Sequence, residues 1–288
     1  MKPNLEKKPF ILHNHQITIL PNGIRIISET LPYVKSFSLG FWFNVGTRDE
    51  NDNNNGISHF IEHMLFKGTK NRSASQIADE IESLGGYLNA FTSKEHTCYY
   101  GRGLSRHIEK TFEVLADMVQ NPAFKNREIK KEAGVVVDEL YDIEDNPEEL
   151  IFDKFESMLF KGNDLSRPII GTTKNILSFK REDLLSYLKD NYTFDNLFIV
   201  ASGAVNHQDL VEFTKKYFSK DLGKSKRKRK KLNLNQAEDL YVFKDIQQSH
   251  FIMGKPTYGY DNKNRIKVSL LSHILGEGSS SRLSLIHI

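Results

Sequence analysis

Cysteine is almost absent from this chain: Cys98 is the only one in 288 residues. A single thiol excludes an intrachain disulfide framework and fits a reducing compartment. Long apolar runs are missing too. No stretch approaches the roughly 20 apolar residues that a membrane-spanning helix needs, so no membrane partner is expected. Residues 1–15 carry lysines but no apolar core of signal-peptide type. That leaves the general secretory route unsupported and makes the cytoplasm the expected location. A strong excess of one charge is also lacking, since the net charge is only +3. The run Lys224-Ser225-Lys226-Arg227-Lys228-Arg229-Lys230-Lys231 alone holds seven positive charges, and taking these from +3 leaves the rest of the chain at −4. The body is therefore mildly acidic. A basic run can address nucleic acid, but no aromatic residue is interleaved here for base stacking. It reads as a solvated linker, and no nucleic-acid partner is expected.

With 39% hydrophobic and 27% charged residues, the composition is that of a soluble globular protein of one large or two ordinary domains. Strand-like runs at 17–20 and 24–29 flank the turn Pro21-Asn22-Gly23. A third run, 37–43, alternates loosely and is rich in aromatics. A polar loop at 46–56 precedes a helix that runs through Phe66. Ser73 and Gln76 form a capping box for a second helix, stopped by Gly85-Gly86. Segments 87–92 and 97–101 read as paired strands. Helical patterns follow at 106–120, 127–144, 184–192 and 209–218, with a strand at 196–202. Meandering strands with grouped helices favour an α+β class: a mixed, mainly antiparallel sheet with helices on one face. Strands at 240–244 and 250–254 and a helix at 265–275 then open what looks like a second, similar domain. The expected division is a metal-binding domain 1–222, a basic linker 223–238 and the start of the second domain at 239–288.

The most informative segment is His59-Phe60-Ile61-Glu62-His63. Two histidines four apart lie on one helix face, one turn from each other, and can reach one zinc ion. Glu62 projects toward the same face, where its carboxylate can act on a metal-bound water. The pattern H-x-x-E-H is the inverted form of the H-E-x-x-H zinc-peptidase motif. Its plain alternative is a surface helix with two solvated histidines. A catalytic zinc usually takes three protein ligands plus water. The helix at 132–144 offers Glu132, Asp138, Glu139, Asp142 and Glu144. Glu132 and Glu139, seven apart, share a face, with Val135 and Val136 read on the same side between them. Two carboxylates on a buried face need a reason, because unpaired buried charge is costly. Zinc ligation by one and support by the other would supply it, against a simple acidic solvated face.

Several segments in order resemble the pitrilysin, insulin-degrading enzyme and mitochondrial processing peptidase family of zinc metallopeptidases, in particular its bacterial members. They are Leu20-Pro21-Asn22-Gly23, Gly46-Thr47-Arg48-Asp49-Glu50, the stretch from Gly56 through the motif to Thr69, Gly85 to Ser93, Glu95 to Tyr100, and the helix carrying Glu132 and Glu139. The resemblance implies His59, His63 and Glu139 as ligands of one Zn²⁺ per chain, Glu62 as general base and Glu132 as a supporting catalytic carboxylate. It implies a zinc-dependent endopeptidase that hydrolyses peptides or unfolded polypeptide segments through a zinc-activated water. Asn89, Ala90, Phe91 and Thr92 resemble the family's edge strand, which pairs with substrate through main-chain hydrogen bonds. The competing reading is an ordinary sheet strand with Phe91 in the core. Peptides are the implied partners, with a homodimer or a heterodimer with a related subunit as the implied assembly.

Other patterns weigh less. Asn51, Asn53, Asn55, Gly56 and Glu62 fit the spacing of a calcium loop, but asparagine at the first position removes a needed carboxylate. Gly276-Glu277-Gly278 is too short for a phosphate loop. His96 and His250 are lone histidines and read as packed or solvated. The family's active unit has two halves, and its substrate-holding residues of the second half would follow Ser281-Arg282-Leu283. The chain stops at Ile288 before reaching them, so it is expected to be inactive alone. Leu283-Ser284-Leu285-Ile286-His287-Ile288 is what a transposon-type library adapter encodes, and the natural frame is expected to continue differently there. The alternative function is a non-catalytic scaffold or partner subunit of a peptidase-like complex. The intact His59, Glu62, His63 and Glu139 argue against it.

Overall fold

A computed structural model describes residues 15–218, 223–225, 227–232 and 239–285. The chain opens with strands β1 (His15–Ile19), β2 (Arg25–Thr30) and β3 (Ser36–Phe43), followed by helices α1 (Ile57–Leu65) and α2 (Ala74–Glu82). Strands β4 (Tyr87–Thr92) and β5 (Thr97–Leu104) come next, then helices α3 (Ile108–Gln120), α4 (Asn126–Asp145), α5 (Pro147–Leu159), α6 (Thr173–Ser178) and α7 (Arg181–Asn191). Strand β6 (Leu197–Gly203) and helix α8 (His207–Tyr217) complete this body, and α9 (Arg265–Gly276) and α10 (Arg282–Leu285) lie beyond it.

The strands form one six-stranded sheet in the order β1-β2-β6-β3-β5-β4. All pairs are antiparallel except β2 with β6. The fold is thus mixed and mainly antiparallel, as expected. Alternation decides which side is covered. Leu197, Ile199 and Ala201 of β6 are buried beside Phe37, Leu39, Phe41 and Phe43 of β3. These residues form one core with the helices: Phe41 meets Phe112 of α3 edge-on at 4.9 Å, and Phe43 lies 4.3 Å from Tyr192. The capping box forms as read, with Ser73 accepting from the Gln76 N–H and Gln76 accepting from the Ser73 N–H.

Three expectations need correction. Segments 240–244 and 250–254 are not strands. Tyr241 and Phe243 stand 89% and 93% exposed; among the described residues neither segment pairs with a strand of the sheet, and a short strand pair alone has too little to hold it. Helices α5 and α6 were not anticipated. The start of α5 was nonetheless legible: Asn146 accepts from the Glu148 N–H, Pro147 opens the helix, and Glu148 and Glu149 fill its first turn, which are all helix-start signals. Finally, the basic run is not simply solvated. Arg227 and Arg229 both pair with Asp49, whose side chain is 1% exposed, and Arg229 also donates to Asn44 Oδ1 and the Glu95 carbonyl.

Candidate metal centre

Helix α1 carries two stripes. Ile57, Phe60, Ile61, Met64 and Leu65 are buried and hold the helix on the core, while His59, Glu62 and His63 occupy the adjoining strip. The start of the helix is fixed unusually firmly. Gly56 has φ +98° and lies against Gly171, φ +89°; a Cβ on Gly171 would meet the Asn55 oxygen at 2.5 Å. The buried Glu50 carboxylate accepts from the Gly56 N–H (2.8 Å), the Ser58 N–H (2.8 Å) and the Asn55 amide (2.9 Å). It caps the helix from a neighbouring loop, where the positive end of the helix dipole favours it. Sequence reasoning missed Glu50, since nothing local marks a side chain that folds back over six residues. Asn55 is spent on Glu50 and the Pro168 carbonyl, and Glu62 turns to Thr92, so the calcium-loop spacing serves other bonds.

Helix α4 packs on α1. Its buried stripe is Ile129, Glu132, Ala133, Val136, Val137 and Leu140. Val135 does not belong to it and is 44% exposed. At about 100° per residue, Val135 falls on the solvent side of Glu132 while Val136 falls on the core side. Glu139 lies at the stripe's margin. The fold brings it to the two histidines: His59 Nε2 is 3.7 Å from Glu139 Oε1, and His63 Nε2 is 3.5 Å from Glu139 Oε2. Among the described residues, His59, His63 and Glu139 form the group whose ligand atoms all lie within 4.8 Å of one another. Asp138, Asp142 and Glu144 are not part of it.

Do these residues fit zinc? Zinc bonds of about 2.0–2.1 Å at tetrahedral angles put neighbouring ligand atoms roughly 3.3 Å apart, so 3.5 and 3.7 Å need little closure. The donor set, two imidazoles and a carboxylate, is a zinc set. Among the described residues the buried His59 Nδ1 has no hydrogen-bond partner, so no bond at that atom competes with ligation through Nε2. Electrostatics agree. Burial, with His63 nearby, pulls His59 down to about 4, which keeps it neutral and free to ligate. Burial pushes the Glu139 carboxyl up, against the pull of His63. Glu62 is pushed up likewise by burial, against the Thr92 hydrogen bond and His63. Three carboxylates around two imidazoles are a crowd that a dication would relieve.

Glu132 is 3% exposed and accepts from His63 Nδ1 at 2.9 Å. Burial would raise its carboxyl, but His63 and Lys67 hold it below the usual range. Burial would likewise lower His63, yet Glu132, together with Glu139, raises it. Such a carboxylate–histidine bond fixes the ring so that Nε2 faces the metal position. Lys67, 2.9 Å from Glu132, escaped sequence reasoning, although its place four residues after His63 put it on the same side.

Strand β4 is the sheet edge beside α1. Thr92 donates to Glu62 Oε2 at 2.5 Å, so its hydroxyl touches the proposed base. Asn89 and Phe91 point to the other face. Asn89 donates to the Tyr87 hydroxyl and accepts from the Ala90 N–H. Phe91 is 38% exposed and packs on Trp42 and Tyr100, so it is not a core residue. His96 stacks beside Trp42, a packed histidine.

The family profile described as "Insulinase (Peptidase family M16)" matches residues 25–173, more than half of the chain. The chain belongs to peptidase family M16. A second profile, "Peptidase M16 inactive domain", matches residues 178–286. An "Uncharacterized zinc protease" of Rickettsia bellii is 38% identical over 275 residues, covering 94% of this chain and 66% of that protein. The "Uncharacterized zinc protease YmxG" of Bacillus subtilis is 36% identical, covering 91% and 64%. A mouse "Mitochondrial-processing peptidase subunit beta" is 40% identical over 207 residues, covering 72% and 42%. The chain therefore spans less than two thirds of these relatives' lengths. The crystal structure of a Helicobacter pylori protease shares the fold, with a TM-score of 0.81 at 23% identity over 95% of this chain and 68% of that one. Among the described residues, no helix is long and apolar enough to cross a membrane.

Proposed function

We propose that this chain is the metal-bearing part of a zinc endopeptidase that cleaves peptides or unfolded polypeptide segments. The convergence of His59, His63 and Glu139 from two helices carries the reading. These three residues would hold the zinc, which when bound would lower the pKa of water and polarise a peptide carbonyl. Glu62 is the proton acceptor. Its raised pKa suits a group that must take a proton and then give it to the leaving nitrogen. Thr92 orients that carboxylate through one oxygen and leaves the other free. Glu132 holds His63. The exposed edge of β4, through Asn89, Ala90, Phe91 and Thr92, would receive the substrate as an added strand.

The same reading takes 1–222 as the metal-binding domain, 223–238 as a linker and 239–288 as part of a second domain. It places the protein in the cytoplasm, in keeping with one buried thiol, and pairs it with a second copy or a related subunit, as the name of the mitochondrial relatives suggests. The test is metal analysis and peptide cleavage on the full-length gene product, with Glu62→Gln alongside. Retained zinc and cleavage lowered by about 10²-fold or more in the variant are expected. Wild type without zinc, or cleavage indifferent to the substitution, would refute the proposal.

A further inference from the structure

Glu132 has two oxygens and two claimants. Oε1 accepts from His63 Nδ1 at 2.9 Å, and Oε2 accepts from Lys67 Nζ at the same distance. The carboxylate lies on the buried stripe of α4, with its side chain 4% exposed. A buried carboxylate with one oxygen unmatched would be free to turn toward whatever donor it found, since the cost of an unpaired buried charge is high. Lys67 removes that freedom, and its ammonium leaves Oε1 to His63.

Lys67 is not a loose surface lysine. It follows the last turn of α1, where its N–H donates to the Met64 carbonyl. The next residues are pinned to the end of α3: the Ala123 N–H donates to the Gly68 carbonyl, the Lys70 N–H donates to the Asn121 carbonyl, and Thr69 bridges to Pro122. Thr69 in turn donates to the buried Asp117, which Arg72 also holds. The backbone that presents Lys67 is thus held on one side by the last turn of α1 and on the other by the residues after it, which are tied to the end of α3.

We propose that Lys67 is a positioning residue of the metal centre: it locks the Glu132 carboxylate so that Glu132 keeps the His63 ring aimed at the metal position. The chain of contact runs from Lys67 through Glu132 to the His63 ring. Lys67 is not among the residues that would hold the metal. The inference rests on the zinc reading above.

The test measures zinc affinity by competition with a chromogenic chelator on the full-length chain, with unfolding of the metal-free form as control. Lys67→Met should weaken zinc binding by about 10- to 100-fold, the range for partners of ligating histidines, while Lys67→Arg should recover most of the loss. In a Glu132→Gln background, Lys67→Met should cost little more, because it acts through Glu132. Wild-type affinity in Lys67→Met, or a loss that adds in full to that of Glu132→Gln, overturns the inference alone. So does a metal-free Lys67→Met chain that is already unfolded at the assay temperature. A wild-type chain that holds no zinc overturns it together with the zinc reading.

Discussion

Glu50 offers the sharpest test of how the metal helix is held. Its carboxylate is 5% exposed and, among the described residues, no lysine or arginine pairs with it. Burial raises its pKa, and the bonds from Ser58, Asn55 and Gly56 pull it back. Glu50→Ala removes the acceptor for two backbone N–H groups and one side-chain amide at once. Each buried donor left unmatched costs about 1–3 kcal/mol, so a loss of roughly 3–6 kcal/mol is expected, allowing for some rescue by water. Loss of the negative charge at the helix N-terminus adds about 0.5 kcal/mol. Set against a typical total of about 5–15 kcal/mol, that is enough to unfold a large fraction of the protein. Glu50→Gln retains one acceptor oxygen but turns an NH₂ toward other donors, so an intermediate loss of about 1–3 kcal/mol is expected. Urea titration followed by far-UV circular dichroism, in chelator so that metal plays no part, measures both. An alanine variant within 1 kcal/mol of wild type would show that the helix start is held by something else.

Three other outcomes are expected. Gly171→Ala must put a Cβ at 2.5 Å from the Asn55 oxygen with φ at +89°; overpacking and left-handed strain together should cost about 2–4 kcal/mol by the same titration, and a neutral result would remove the paired glycines from the account. Cys98, 1% exposed and with its thiol pushed up to about 12 by burial and then by Glu62, should resist a thiol reagent in the native chain and react fully in urea; rapid native labelling would contradict its placement. The metal-free chain should also lose stability in acid through His59. Its folded pKa of about 4 lies below the unfolded value of about 6.5, so the unfolded chain binds the proton the folded chain refuses; the contribution is intact above about pH 6.5 and fades by up to about 3 kcal/mol toward pH 4. His63, raised by Glu132 despite burial, works in the opposite sense, and its stabilisation is lost as pH rises through its folded pKa. His59→Gln should therefore flatten the acid limb of a stability–pH profile, and an unchanged limb would assign it elsewhere.

Local signals carried far into this structure. The bounds of β4 and the Ser73–Gln76 box could be read directly, because turn chemistry and capping are short-range. The motif helix was legible for the same reason, since its buried and polar strips follow a 3.6-residue period. The third ligand was not settled by the residues: five carboxylates on one helix were open, and only resemblance singled out Glu139. Periodicity puts Glu132 and Glu139 on one face, but which of them reaches the histidines depends on how α4 packs against α1. Val135 shows the limit within a single helix, where one position separates solvent from core. Glu50 acts across a chain reversal that leaves no periodic trace, and spacing puts Lys67 beside His63 without showing that α4 brings Glu132 to it. The strands expected near 240 and 250 failed for a related reason, because a strand exists only with a partner.

The site's two halves come from distant parts of the chain: His63 and Glu132 are 69 residues apart in sequence. In an unfolded chain, closing a loop of that length to gather the side chains is entropically unfavourable, so the cluster exists only once α4 has docked on α1. During synthesis, the histidines leave the ribosome well before Glu132 and Glu139, and a cation cannot be captured by the full set until both helices are out and packed. If the site holds zinc as proposed, its full ligand set forms only after α1 and α4 have packed, which couples metal binding to folding.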